Sequence, residues 1–246
     1  MTQFKLHPLI AITICLTVVI FCLKDTTFHL LLAPCDNHFV TFHLLEEVFE
    51  RLEIDFRFEP YSIRLINTEL SSQFMTHVST SVYLALLLVS PYIVIELYRY
   101  IAPALYVDER RYSVLLAIAI YLLFILGVLM SYFVLFPFVL RFLGTYQVAA
   151  SVVNQINLDS YISTFVTLTL MMGLVFQLPI LSLFLAKMGI LEAKFMKQYR
   201  RHAFVLISIV AAVITPPDLF TCIMVLLPMY GLYEVSIFVV GKVSQG

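Results

Sequence analysis

The chain is 246 residues long, 61% hydrophobic and 13% charged, with a formal net charge of −1. Soluble globular chains are about 45–50% apolar and about 25% charged, so this composition excludes a soluble enzyme. The near-neutral balance lacks the basic footprint that nucleic acid requires, and no polar linker divides the chain, so a single membrane domain over 1–246 is expected.

Six apolar runs organise it. Transmembrane helices are expected at about 6–23, 70–95, 112–138, 160–186, 202–217 and 219–240, since a helix crossing ~30 Å of hydrocarbon needs about 20 residues. The first run, Leu6 to Leu23, is too long for the apolar core of a secretory leader and no small-residue cleavage site follows it, so it reads as a retained span. In the 24–69 segment, Leu45, Val48, Phe49 and Leu52 recur at helical spacing while Glu46, Glu47, Glu50 and Glu53 fill the other face. This predicts an amphipathic helix, either a cap over the membrane domain or a partner surface. The last two runs are short. Thr215-Pro216-Pro217 stops the first of them and Asp218 marks a turn. Residues 202–217 rise only about 24 Å as a helix, so the pair reads as two short spans in a thinned bilayer or as a re-entrant hairpin. The fold class is all-α and polytopic.

Lysine and arginine set the orientation. Lys5, Arg99, Arg110, Arg111, Lys187, Lys194, Lys197, Arg200, Arg201 and Lys242 fall on one side of a six-span arrangement, against Lys24, Arg51, Arg57, Arg64 and Arg141 on the other. The richer side is expected in the cytoplasm, which places both termini there.

The seven glycines form no phosphate-binding loop, the six histidines include no H-E-x-x-H pair, and G-x-S-x-G is absent. An ATPase, zinc protease or serine hydrolase is therefore not expected, nor is a metal or cofactor. Energy, if used, comes from the membrane gradient or a partner. Cys15, Cys22, Cys35 and Cys222 lack the spacing of a disulfide framework.

Gln177, in Phe176-Gln177-Leu178-Pro179, lies inside the fourth span, where polar groups are costly. Pro179 frees a carbonyl one turn upstream, and Gln177 is either glue within the bundle or a contact for a partner helix. His77 reads as packed interior. Glu96, Asp108 and Glu109 gather beside Arg99, Arg110 and Arg111. They form a solvated charge run or a carboxylate site for a cationic ligand, to which the forked donors of guanidinium are suited.

Tyr100-Ile101-Ala102-Pro103-Ala104-Leu105-Tyr106-Val107-Asp108-Glu109-Arg110 resembles the first cytoplasmic loop of the TatC family, the receptor subunits of the twin-arginine protein translocase. Thr215-Pro216-Pro217-Asp218, with Pro228-Met229-Tyr230 and Leu232-Tyr233-Glu234, resembles that family's final hairpin. Ala33-Pro34, Phe136-Pro137, Asp159-Ser160-Tyr161 and the Gln177 motif fall in matching order. The resemblance runs over nearly the whole chain.

It implies a concave bundle of six helices in the cytoplasmic (inner) membrane, and it favours two true spans at the hairpin. It also implies binding of signal peptides with paired arginines on folded precursor proteins. A pore is then built in the lipid bilayer with single-span partner subunits, the receptor complexes forming an oligomer. By the family pattern Glu109 accepts the arginine pair. Tyr100, where the family usually has Phe, Glu96, where it usually has Gln, and Arg110 belong to the same surface. Gln177 contacts the partner helix or the inserted signal, and Pro34 and Asp218 serve assembly on the outer side. The family's usual N-terminal Glu-Leu-Arg motif has no match in Met1-Thr2-Gln3-Phe4-Lys5, which shifts recognition toward Glu109 or marks a truncated start. The alternative is a small-solute transporter on six helices, which needs polar groups converging at mid-membrane. Gln177 and His77 are the candidates for that role.

Overall fold

Lipid offers no hydrogen-bond partners, so a chain this apolar satisfies its backbone within helices. The computed structural model describes residues 6–36, 39–51, 63, 65–68, 70–101, 113–147 and 154–243. In chain order these form α1 (Leu6–Cys22), α2 (Lys24–Leu32), a 3₁₀ turn (Ala33–Cys35), α3 (Val40–Arg51), β1 (Leu65–Ile66), α4 (Ser72–Ile101) and α5 (Ser113–Met130). A π-helical turn (Ser131–Leu135) leads into α6 (Phe136–Thr145), followed by β2 (Ile156–Asn157), α7 (Leu158–Val175), α8 (Leu178–Lys187), α9 (Ala193–Gln198), α10 (Arg200–Ile214) and α11 (Leu219–Val243).

Among the described residues four stretches are long and apolar enough to cross a membrane: Ser72–Glu96, Leu116–Thr145, Leu158–Lys187 and Leu219–Lys242. The pair His7–Cys22 and Lys24–Cys35, bent by 85°, would make a fifth if it is one broken span. Of the two closing arms expected to be short, only α10 is: its 15 residues rise about 22 Å. The expectation is corrected for α11, which has 25 residues. Its apolar run ends at Glu234, yet the helix continues because that carboxylate is satisfied. Arg200 Nη2 lies 2.6 Å from one oxygen and the Tyr230 hydroxyl donates to the other at 3.1 Å.

The chain divides into two compact units. One comprises Met1–Ile12, Leu87–Val128 and Thr167–Gly246. Within it α5 and α7 meet at glycines. A Cβ on Gly127 would lie 2.6 Å from the Met172 carbonyl oxygen, and one on Gly173 would lie 2.6 Å from the Phe124 ring. Such small residues let membrane helices approach and gain van der Waals contact. In the same unit α8 packs on α11. Met196 of α9 is buried with Ile237 and Val240 of α11, and the Tyr233 hydroxyl fastens α9 by donating to the Met196 carbonyl at 2.8 Å.

The other unit comprises Thr13–Leu86 and Leu129–Val166. Its core is aromatic. Phe39 and Phe42 are buried against Ala33, Ile63, Tyr132 and Phe138, which anchors α3 by one face while Glu47 and Arg51 pair across one turn of its other face at 2.8 Å. Phe136 meets the rings of Tyr161 and Phe165 edge-on at 5.1 and 4.9 Å. His77 of α4 stacks on Phe21 at 4.2 Å with Phe28 edge-on at 5.7 Å, so the break between α1 and α2 closes around an imidazole. A short parallel pairing, Leu65 with Ile156 and Ile66 with Asn157, joins the segments before α4 and α7.

Candidate functional site

Pro34 is buried in the 3₁₀ turn that ends α2. Without an N–H it leaves the Leu30 carbonyl, its α-helical partner, unfilled. The Tyr132 hydroxyl donates to that carbonyl at 2.8 Å, and the Tyr161 hydroxyl donates to the next one, Leu31, at 2.6 Å. Two of the orphan carbonyls that every helix C-terminus carries are thus taken by phenols from the π-turn and α7. Pro137 likewise withholds an N–H from the Phe133 carbonyl, and the Thr41 hydroxyl of α3 donates to it.

Gln177 stands at the break between α7 and α8, just ahead of Pro179. Its side-chain nitrogen donates to the Ile120 carbonyl of α5 at 3.1 Å. Ile120 lies two turns from Gly127, and Gln177 one turn from Gly173, so the amide bridges the same α5–α7 contact that the glycines close. Its oxygen Oε1 is buried and has no hydrogen-bond partner.

Asp218 caps α11. Its Oδ1 accepts the Thr221 N–H at 2.6 Å, the bond expected of an N-cap aspartate, and its own N–H donates to the Pro216 carbonyl at 2.7 Å. Its second oxygen Oδ2 and the fully buried Thr221 hydroxyl are without partners. Gln177 and Asp218 therefore share a pattern: one polar atom is committed to the fold and another is left open.

Glu96 is half-buried near the end of α4, and Tyr100 stands one turn later on the same helix. Glu109 and Arg110 lie outside the described residues. The structure thus brings Glu96 and Tyr100 onto one helix end, while Gln177, Asp218 and Pro34 each occupy a separate helix break. Among the described residues no group of His, Cys, Asp and Glu is arranged to hold a metal ion, and the four cysteines are unpaired.

Two constellations escaped the sequence reading. Tyr132, Tyr161 and Thr41 act on carbonyls far away in the chain, a signal that only the positions of Pro34 and Pro137 hinted at. The Arg200–Glu234 pair was foreshadowed by a lone carboxylate inside an otherwise apolar run.

Together these features define a multi-span α-helical membrane protein whose described polar side chains finish the helix breaks at Pro34, Gln177 and Asp218. The family model of TatC, the Sec-independent protein translocase protein, matches residues 4–228, and the chain belongs to that family. It is 36% identical to TatC of Blattabacterium over 244 residues, covering 98% of this chain and 91% of that one. Against TatC of Helicobacter pylori it is 36% identical over 203 residues, covering 82% and 79%. Against TatC of Escherichia coli the identity is 32% over 179 residues, covering 73% and 69%. A crystal structure of TatC, described as the twin-arginine translocase receptor, matches with a TM-score of 0.76 and 25% identity over 99% of this chain and 97% of that one. The chain is accordingly a membrane component of protein transport and not an enzyme, and the solute-transporter alternative falls.

Proposed function

We propose that this chain is the receptor and core subunit of a twin-arginine translocase in the cytoplasmic membrane. In this reading it binds signal peptides with paired arginines on folded precursors and assembles, as an oligomer, a pore with single-span partner subunits. The observation that carries the reading is the likeness, over nearly the full length, to the solved twin-arginine translocase receptor. Six spans are proposed, with α10 crossing as a short span beside a thinned bilayer. Both termini are proposed to be cytoplasmic, from the two-to-one excess of Lys and Arg on that side. A reporter active only in the cytoplasm, fused at Gly246, tests the orientation: a well-expressed but silent fusion overturns it.

Glu109 is proposed to accept the arginine pair, with Tyr100, Glu96 and Arg110 framing it. Gln177 is proposed to receive a donor from a partner helix or an inserted signal on its open Oε1, Asp218 to serve partner assembly through its open Oδ2, and Pro34 through the segment it shapes. The decisive experiment measures binding of a twin-arginine peptide and its twin-lysine version to wild type and Glu109→Gln. Removing one partner of an interfacial charge pair is expected to weaken twin-arginine binding about tenfold, or about 1.4 kcal/mol. The loss is smaller for twin-lysine, because only guanidinium makes the forked contact. Equal binding by wild type and Glu109→Gln, both folded and inserted, removes Glu109 from the site.

A further inference from the structure

Three hydroxyls meet three backbone carbonyls where α2, α3, the π-turn and α7 come together. Tyr132 donates to Leu30 and Tyr161 to Leu31, at 2.8 and 2.6 Å, and Thr41 donates to Phe133. The exchange is reciprocal. The π-turn gives a phenol to α2 through Tyr132 and takes a hydroxyl from α3 on the adjacent residue, Phe133. Two of the three carbonyls are the α-helical partners of prolines, Leu30 of Pro34 and Phe133 of Pro137, and neither proline has an N–H to fill them. The rings that carry the phenols are themselves fixed. Tyr132 meets Phe39 and Phe165 edge-on at 5.6 and 6.0 Å, and Tyr161 meets Phe136 edge-on at 5.1 Å. The phenols therefore point at their carbonyls without further ordering.

We propose that Tyr132, Tyr161 and Thr41 are positioning residues for translocase assembly. They register the α2–α3 segment on the π-turn and α7, and Pro34 acts by keeping the Leu30 carbonyl open for Tyr132. This deepens the assembly role proposed for Pro34 and rests on that reading. The physical argument is a competition for one acceptor. A residue with an N–H at position 34 can close the α-helical bond onto Leu30 itself, and the phenol of Tyr132 then loses its exclusive claim. The helix would end locally satisfied, and its tie to the π-turn would weaken. The tie therefore costs more to break when proline is present, because the Leu30 carbonyl then has no backbone N–H to take the place of the phenol.

The test is a double-mutant cycle on the full chain in lipid nanodiscs, with Tyr132→Phe introduced into wild type and into Pro34→Ala. Amide hydrogen exchange over Leu30–Asp36 is the first readout. Tyr132→Phe in wild type is expected to speed exchange there about tenfold, the effect of one lost hydrogen bond on local opening. In Pro34→Ala it should change exchange less than about threefold, because the Leu30 carbonyl then has a backbone donor. Equal effects in the two backgrounds, or none in either, overturn the competition.

The second readout is recovery of single-span partner subunits with the tagged chain. Tyr132→Phe and Thr41→Val should each reduce it, while Thr41→Ser, which retains a hydroxyl, should restore it. Should Tyr132→Phe fail to insert, the Thr41→Val and Thr41→Ser pair decides the matter alone. Coupled exchange with unchanged partner recovery overturns the positioning role. Wild type that recovers no partner at all fails the assembly reading instead, and the exchange cycle still decides whether the hydroxyls and the prolines are coupled.

Discussion

The chain breaks its helices at proline in two kinds of place, and they are finished differently. Around Pro34 and Pro137 the carbonyls denied an N–H receive hydroxyls from within the same unit, Tyr132 on Leu30 and Thr41 on Phe133. Around Pro179 and Pro216-Pro217, in contrast, Gln177 and Asp218 each spend one polar atom on the fold and leave one buried oxygen without a partner. A buried acceptor left unmet costs about 1–3 kcal/mol, so the second kind of site is expensive for the isolated chain. Single-headed hydroxyls close a break. Two-headed amides and carboxylates hold it while keeping one head for another molecule, which is the role proposed for Gln177 and Asp218.

The comparison breaks most readily at the α5–α7 crossing, because Gln177 is positioned by it. Gly127→Ala places a Cβ 2.6 Å from a backbone oxygen, which no side-chain rotation relieves. The expected destabilisation is about 1–3 kcal/mol, read as a lowered thermal midpoint in detergent, with the Gln177–Ile120 bond lost as α5 moves off. Gly231→Ala is the control, since nothing lies within 4 Å of its added Cβ. If the two variants melt alike, the close crossing does not hold Gln177 in place.

Asp218 sharpens the comparison because its two oxygens are separable. Asp218→Ala removes the N-cap and should cost about 1 kcal/mol. Asp218→Asn keeps an oxygen for the Thr221 N–H, and its stability should stay within a few tenths of a kcal/mol. Partner recovery should nevertheless fall for both, because asparagine offers a donor where Oδ2 offered an acceptor. Full recovery by Asp218→Asn would make Asp218 a cap and nothing more.

Much of this was legible in sequence, for reasons that differ element by element. The apolar runs carry helices because lipid leaves the backbone no other solution, and α3 lies where Phe49 and its neighbours repeat at helical spacing. The helix α2 was not legible: the first apolar run ends at Leu23, whereas the chain turns by 85° there and resumes its helix from Lys24. How α11 carries Glu234 was hidden too, until Arg200, 34 residues away, is seen beside it. Pro34, Gln177 and Asp218 were recognisable as positions, but what each touches is non-local. Tyr132 reaches Leu30 across 102 residues and Gln177 reaches Ile120 across 57, and no spacing rule spans such separations.

The smallest effect on the fold is expected at Gln177, and that is what makes it informative. Hydrogen bonds between helices in lipid average about 0.6 kcal/mol, and among the described residues the side chain of Gln177 makes one, to Ile120. Gln177→Ala also removes the unpaired Oε1 along with its desolvation cost, which offsets part of that loss. Its thermal midpoint should therefore barely move, and far less than that of Gly127→Ala. Crosslinking from neighbouring positions such as Leu174 and Leu181, both exposed, to a single-span partner or an inserted signal should fall clearly, because the acceptor proposed to receive the incoming donor is gone. Gln177→Glu keeps an acceptor but gives up the amide N–H that reaches Ile120, so it separates the two heads: crosslinking should survive better than in Gln177→Ala while the α5 tie is lost. The opposite pattern, a marked loss of stability with unchanged crosslinking in Gln177→Ala, would place Gln177 with the hydroxyls of Tyr132 and Thr41 as internal glue and erase the distinction between the two kinds of break.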